Sequence, residues 1–256
     1  QWWAHQVIGA NVQGATITSE SLSQYSALMV MEDHYGPDKM PHFLEYEMNS
    51  YLSGRTNERI EEQPLIRNEN QAYIHYRKGS VVFFALKEYI GEEALNGALR
   101  DYIKEVAFQE APYTTSLELL AHIKRVTPDR YQYLVADMFE KITLYDNRAK
   151  EVEVTKRDDG KYDVTLTYQV AKYYADGKGA ETPAESLNDY IEIGAYLEGE
   201  NGEPDRPIYL ELHQLDGQSD SLTFTVDERP DRVGIDPRHL LIDREPDDNI
   251  ETVSAE

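Results

Sequence analysis

The hydrophobic periodicity changes once along the chain, near residues 144–150, and this change constrains the fold more than any other feature. Before it, apolar residues recur at the three- and four-residue spacing of amphipathic helices, as in Leu22–Met31. After it, apolar and polar residues alternate, which is the period of half-buried strands. The sequence therefore predicts an α + β protein, with a helical region over residues 1–147 and an antiparallel, immunoglobulin-like β-sandwich over residues 148–256.

Capping residues divide the first region into six predicted helices. Ser19 or Thr18 is expected to cap the first helix, Gly36-Pro37 to end it, and Gly54 to occupy the C-terminal cap position of the second. Residues 56–70 are polar and are predicted to form a loop. The helices are predicted at about 18–34, 38–53, 73–89, 92–108, 116–126 and 128–142.

Seven short strands are predicted in the second region, and strands of this number and spacing are typical of a β-sandwich. Asp159-Gly160 is predicted to form the hairpin turn between the first two strands. Residues 173–188 are rich in Gly, Ala and Glu and are predicted to form a long loop. The strands are predicted at 152–155, 162–168, 191–193, 208–212, 222–226, 233–235 and 240–242.

The chain is strongly acidic, with 48 acidic and 25 basic residues and a net charge of -23. This charge argues against nucleic acid as a partner, because phosphate binding needs a basic surface, and it disfavours an anionic membrane surface. There is no cysteine, so disulfide and thiolate chemistry are excluded. No apolar run reaches the ~20 residues of a membrane span, and the chain is predicted to be a soluble fragment.

Two segments near the start of the chain carry the first indication of chemistry. Gln1-Trp2-Trp3-Ala4-His5-Gln6-Val7-Ile8-Gly9 resembles the segment that directly follows the zinc helix of M1 aminopeptidases, whose motif reads His-Glu-x-x-His-Gln-Trp. Ser19-Glu20-Ser21-Leu22 occupies the place of that family's Asn-Glu-Gly-Phe-Ala element. The resemblance implies that Glu20 is the third zinc ligand and that the second zinc-binding histidine immediately precedes Gln1.

A second motif, Tyr76-Arg77-Lys78-Gly79, precedes a run of apolar residues and resembles the Tyr-x-Lys-Gly of the same family. The resemblance implies that Tyr76 donates a hydrogen bond to the oxyanion of the tetrahedral intermediate, a role that suits a neutral phenol. Tyr73 competes for this role, and the Lys-Gly pair favours Tyr76. Gly79 is expected to let two helices pack closely, and Arg77 and Lys78 to be solvated or ion-paired.

The chain departs from the family pattern at Ser19, Ser21 and Leu22, and it has one extra residue before Glu20, expected in the loop around residues 9–14. In these departures it resembles a divergent bacterial branch in which an M1-like domain follows an ABC-2-type permease region in one polypeptide. That resemblance implies a parent protein in the bacterial inner membrane with this domain outside the bilayer. The side of the membrane, the oligomeric state and the substrate residue preference stay open.

The M1 resemblance implies the second, helical half of a thermolysin-like catalytic domain followed by a small β-sandwich. It also implies a parent enzyme that hydrolyses N-terminal residues of peptides with zinc-activated water, zinc being the cofactor. Both histidine ligands and the general base would lie upstream of this chain. The chain alone is therefore expected to be inactive and to bind no zinc. Its expected partners are a peptide substrate, the upstream half of the catalytic domain and the membrane region of the parent.

The altered element around Glu20 leaves an alternative function open, namely a non-catalytic M1-like domain that binds peptides or a partner beside a membrane transporter. Other candidate groups are weaker. His5 is expected to be a second-shell or ordinary buried residue. The remaining candidates lack metal-ligand spacing or an EF-hand pattern, and the acidic ones are interpreted as a turn; they are His34, His42, His75, Asp243, Asp247, Asp248 and Asn249.

Overall fold

The computed structural model describes residue 3, residues 7–199 and residues 203–254. These residues form six α-helices and two antiparallel sheets, so the protein belongs to the α + β class. The chain divides into two compact units. One comprises the described residues up to His34 together with His42–Thr143 and Tyr174–Glu181. The other comprises Tyr35–Pro41, Leu144–Tyr173 and the described residues from Thr182 onward.

The α-helices are α1 (Leu22–Tyr35), α2 (Met40–Asn57), α3 (Gly79–Ile90), α4 (Glu92–Val106), α5 (Ser116–Val126) and α6 (Gln132–Val135). Three π-helical turns adjoin them, at Ile17–Ser21, Tyr73–Lys78 and Ala136–Glu140. Short 3₁₀ turns occur at Pro37–Lys39, Leu65–Arg67, Asp129–Tyr131 and Pro246–Asp248. Within the described parts of the chain, no helix is both long and apolar enough to cross a lipid bilayer.

Helix α3 forms the centre of the helical core because its sequence is apolar on every side. All residues from Gly79 to Lys87 are buried, as expected for a helix without a polar face. The ring of Phe83 lies 5.8 Å from that of Tyr25 and 5.4 Å from that of Phe139, measured between centroids. The position of α3 is therefore fixed by packing on several sides.

Two predicted helix caps are wrong. The hydroxyls of Thr18 and Ser19 donate to the carbonyls of Ala15 and Thr16, instead of accepting hydrogen bonds from backbone N–H groups, and the helix begins before them. Helix α2 continues through Gly54. A Cβ at Gly54 would lie 2.4 Å from the Cβ of Tyr73, so this glycine makes room for a side chain and does not end the helix.

The strands are β1 (Ile142–Lys156), β2 (Tyr162–Ala175), β3 (Glu181–Pro183), β4 (Asp189–Leu197), β5 (Arg206–Leu215), β6 (Ser219–Val226), β7 (Arg232–Ile235) and β8 (Ile250–Thr252). One sheet has the order β1-β2-β3, and β6 also pairs with β2; the other has the order β5-β4-β7-β8. The two sheets contact each other through buried side chains. The rings of Tyr209 on β5 and Phe224 on β6, for example, stack with centroids 4.2 Å apart.

The strand predictions are confirmed at the hairpin and wrong at several other places, including β8, where no strand was predicted. The N–H of Gly160 bonds to the carbonyl of Arg157 in the β1–β2 turn. Strand β1 begins at Ile142, where a helix was predicted, because its first residues are buried on both faces and show no alternation. Strand β3 lies inside the predicted loop. Residues 240–242 form no strand, because the Asp236 carboxylate accepts the N–H groups of residues 240 and 241.

A buried charge network joins the two sheets. The ammonium of Lys172 on β2 lies 2.7 and 3.0 Å from the two carboxylate oxygens of Asp189 on β4, and the hydroxyl of Tyr145 donates to the same carboxylate at 2.9 Å. The side chains of Lys172 and Asp189 are only 5% and 4% exposed. Breaking such a pair leaves a buried charge without its counter-ion, which is costly.

We therefore predict that Asp189→Asn lowers the free energy of unfolding by about 3–5 kcal/mol, because it keeps the shape but removes the charge that faces Lys172. The matched control is Asp227→Asn, whose partner Lys161 lies at the same 2.7 Å but is exposed. That control should cost less than about 1 kcal/mol. Urea unfolding of both variants is the measurement, and equal effects would contradict the prediction.

Candidate functional site

The two predicted site residues, Glu20 and Tyr76, lie on separate π-helical turns, which we name the Glu20 turn (Ile17–Ser21) and the Tyr76 turn (Tyr73–Lys78). The carboxylate of Glu20 lies close enough to the phenol of Tyr76 to raise the pKa of that phenol, and both side chains are partly exposed. π-Helical turns are rare and occur frequently at functional sites. The fold thus brings together two residues that were predicted from separate motifs.

The residues next to this pair connect the two turns directly. The hydroxyl of Ser21 donates to the carbonyl of His75 at 2.7 Å, and this hydrogen bond is buried. A Cβ at Gly79 would lie 2.4 Å from the Ser21 oxygen, so Gly79 permits the close approach that was expected of it. The contact between the turns therefore lies one residue from Glu20 on one side and one residue from Tyr76 on the other.

Asn68 connects the Tyr76 turn to Thr16, the residue immediately before the Glu20 turn. It is fully buried, and its side-chain oxygen lies 2.9 Å from Nδ1 of His75 and accepts the hydroxyl of Thr16 at 3.0 Å. An amide oxygen only accepts hydrogen bonds, so Nδ1 of the neutral imidazole carries the hydrogen. Sequence reasoning missed Asn68, because a single Asn in a polar loop carries no signal of burial.

Gly14 lets the chain reach Asn68. Its N–H bonds to the Asn68 carbonyl at 3.2 Å, its φ is +85°, and a Cβ there would lie 2.1 Å from the carbonyl oxygen of Ile66. Both the backbone conformation and the contact require glycine.

The electrostatics of the pair keep the phenol neutral. The hydrogen bond to Glu20, followed by burial, raises the pKa of Tyr76 above its ordinary value of 10.0. Burial lowers the pKa of His75, and Glu20 opposes this only in part. At neutral pH the site therefore contains a phenol that can donate a hydrogen bond, a carboxylate and a neutral imidazole.

The competing tyrosine, Tyr73, faces a different environment. Its ring stacks on that of Tyr51 at 5.9 Å. Burial raises its pKa, and the carboxylates that raise it further are those of Glu62 and Glu58, not that of Glu20. Of these two tyrosines, only Tyr76 has its pKa raised by the predicted ligand.

The two cations of the motif behave differently from each other. Arg77 is ion-paired as predicted, with both carboxylate oxygens of Glu47 at 3.0 Å. Lys78 is neither solvated nor closely ion-paired but fully buried. Its ammonium lies 5.5 Å from the centre of the Tyr51 ring and 3.4 Å from the carbonyl of Lys141. Burial lowers the pKa of Lys78 to about 8.

Part of the first motif lies outside the described residues, namely Gln1, Trp2, Ala4, His5 and Gln6. Trp3 is described, and its indole N–H donates to the hydroxyl of Ser26 on α1 at 2.7 Å. The acidic segment near the C-terminus forms a turn, as interpreted from the sequence. In it, the Asp243 carboxylate accepts the N–H groups of Asn147 and Glu245.

The described residues supply one potential zinc ligand at this site. Glu20 has no ion-pair partner among them, so its carboxylate is available to a cation. Nowhere in the described ranges do three or more His, Asp or Glu side chains come together in a way that could hold a metal. Comparison with models of known protein families gives no match, and a search of curated proteins gives none either.

We predict that Glu20→Gln lowers the pKa of Tyr76 toward 10.0, because it removes the negative charge that the ionised phenol would face. The measurement is a pH titration of the Tyr76 Cζ resonance in a chain with ¹³C-labelled tyrosine. The pKa of Tyr73, which depends on Glu62 and Glu58, should not change. An unchanged Tyr76 pKa would mean that the two side chains do not interact.

Burial of Lys78 predicts a specific pH dependence of stability. A lysine whose pKa falls from 10.5 to about 8 on folding binds fewer protons in the folded state, so its unfavourable contribution is largest below pH 8 and disappears as the pH rises to 10.5. Lys78→Met, which keeps the side-chain volume, should be more stable than the wild type at pH 7. This difference should narrow by about 2 kcal/mol between pH 7 and pH 10.

The measurement is denaturant unfolding of Lys78→Met and of the wild type between pH 7 and pH 10. Both chains contain the same tyrosines, so the difference between their free energies of unfolding is free of the contribution from tyrosine titration. A difference that stays constant with pH would show that Lys78 is not buried.

Proposed function

We propose that this chain supplies one zinc ligand, Glu20, and the oxyanion hydrogen-bond donor, Tyr76, to a zinc aminopeptidase that removes N-terminal residues from peptides. One observation carries the proposal: a buried hydrogen bond of 2.7 Å from Ser21 to the His75 carbonyl joins the turns of Glu20 and Tyr76, and the Glu20 carboxylate lies close enough to the Tyr76 phenol to raise its pKa. A ligand and an oxyanion donor must lie this close, because the oxyanion develops on an atom beside the metal.

The donor set fits such a zinc site only in part. Catalytic zinc takes three protein ligands, and two histidines with one glutamate are a known set. The 256 residues contain no His-Glu-x-x-His, so both histidines and the general base would come from sequence outside this chain. When bound, the zinc would polarise the substrate carbonyl and lower the pKa of its water.

The residues of this chain have defined tasks in this proposal. Glu20 has no ion-pair partner among the described residues, so its carboxylate can bind a cation. Tyr76, whose pKa is raised, keeps its proton at neutral pH and can donate it in a hydrogen bond to a developing oxyanion. His75, buried and with a lowered pKa, adds no positive charge that would compete with a metal.

The test compares the 256-residue chain with a longer natural chain that contains the upstream sequence. We predict about one zinc per long chain and hydrolysis of aminoacyl reporter substrates by the long chain only. In the long chain, Glu20→Ala should lose zinc. Tyr76→Phe should keep zinc and lower kcat by about 10²–10³-fold, the usual cost of removing one oxyanion donor.

The matched control is Tyr73→Phe, which removes a hydroxyl from the same turn at a position that faces Tyr51. It should retain activity close to that of the wild type. A folded long chain without zinc or without hydrolysis would overturn the proposal and favour the alternative, a peptide- or partner-binding domain beside a transporter.

A further inference from the structure

The Tyr76 turn leaves one backbone carbonyl with an altered partner. In a regular α-helix, the N–H of Gly79 would bond to the carbonyl of His75, four residues earlier. Here it bonds to the carbonyls of Ile74 and Tyr76 instead. A buried carbonyl needs hydrogen bonds to offset the loss of water, and the His75 carbonyl receives one from the Ser21 hydroxyl at 2.7 Å.

The Ser21 hydroxyl donates this hydrogen bond in the protein interior, where it has no contact with solvent. The side chain of Ser21 is fully buried, and Ser21 follows Glu20 directly. Gly79 has ordinary helical angles, with φ −57° and ψ −43°, so its backbone does not require glycine. What requires glycine is the contact, since a Cβ there would lie 2.4 Å from the oxygen and 2.8 Å from the Cβ of Ser21.

The hydrogen bonds of Asn68 and of Ser21 act on different parts of the Tyr76 turn. Asn68 connects Thr16 and His75 through side-chain atoms, at a point four residues before Glu20. The Ser21 bond acts on the backbone of the Tyr76 turn itself, one residue from each member of the pair. Loss of the Asn68 link would loosen the side-chain contact to His75, whereas loss of the Ser21 link would remove a buried hydrogen bond to the backbone of the Tyr76 turn.

We propose that Ser21 is a positioning residue, whose hydroxyl holds the Tyr76 turn in its π-helical form and so sets the phenol of Tyr76 against Glu20. The inference rests on the proposed function for its catalytic meaning, but the contact that it describes is testable in the chain alone. Ser21 itself touches neither substrate nor metal in this proposal.

The test records the Tyr76 Cζ resonance in the 256-residue chain with ¹³C-labelled tyrosine, assigned by its loss in Tyr76→Phe. Glu20→Gln gives the reference shift for a phenol without its carboxylate. Ser21→Ala should move the resonance in the same direction by at least half of that shift. Adding Glu20→Gln to Ser21→Ala should then produce little further change.

Ser23→Ala is the matched control. The Ser23 hydroxyl also donates to a carbonyl at 2.7 Å, but to that of Ser19, four residues earlier in the Glu20 turn, and not to the Tyr76 turn, so its loss should leave the Tyr76 resonance in place. If Ser21→Ala does not fold, Gly79→Ala tests the same contact, because its added Cβ presses on the Ser21 oxygen. It should shift the resonance as Ser21→Ala would.

A folded Ser21→Ala or Gly79→Ala chain with the wild-type Tyr76 resonance would overturn the inference and leave the proposed function intact. The reverse case is also distinguishable. If Ser21→Ala shifts the resonance but the longer chain has no zinc or activity, Ser21 positions the pair and the proposed function fails.

Discussion

The close approach of Ser21 to Gly79 is the contact on which the site depends. Gly79 is the first residue of α3, and α3 is buried on every side. A residue that touches this position is therefore tied to the centre of the core. The contact of Ser21 with Gly79 therefore ties the Glu20 turn to the core. The distance between Glu20 and Tyr76 then follows from the packing of α3. The site needs no separate scaffold because its two turns extend helices that the core already fixes.

Charge placement on the Tyr76 turn completes the site. Consecutive helical residues point in different directions, so Tyr76, Arg77 and Lys78 do not share a face. The Arg77 guanidinium is taken up by Glu47, and the Lys78 ammonium points toward the Tyr51 ring. Both cations are thereby directed away from Glu20. The chain has a net charge of -23, so a carboxylate without a counter-ion is not unusual in it. The Glu20 carboxylate, however, faces the neutral phenol of Tyr76.

The main helices could be predicted from the sequence, because they depend on local patterns, and Glu20 and Tyr76 were each predicted from a separate motif, but their close approach was not predicted. The apolar run after Gly79 could form only a buried helix, and the two motifs each contain several residues of defined type. The π-helical turns could not be predicted, because they depend on which carbonyl a distant hydroxyl reaches. The role of Gly54 was mistaken for the same reason: a glycine that admits Tyr73 and a glycine that ends a helix look alike in sequence.

The start of β1 shows a second limit. From Ile142 to Asn147 every residue is buried, so the strand lacks the alternation that reveals a half-buried strand. A segment that is buried on both faces and adjoins helical residues is indistinguishable in sequence from the end of a helix. The alternation appears only in the later part of the strand, where one face is exposed, and the prediction began there.

The departures of the Glu20 turn from the M1 pattern are compatible with the proposed site. Ser21 stands where the family has glycine, and its extra oxygen is accommodated by Gly79 and satisfied by the His75 carbonyl. Leu22 is fully buried in α1, so it serves the core as an aromatic residue would. The Ser19 hydroxyl donates within its own turn. Each change alters how the turn is held, and none removes the carboxylate of Glu20 from the phenol of Tyr76.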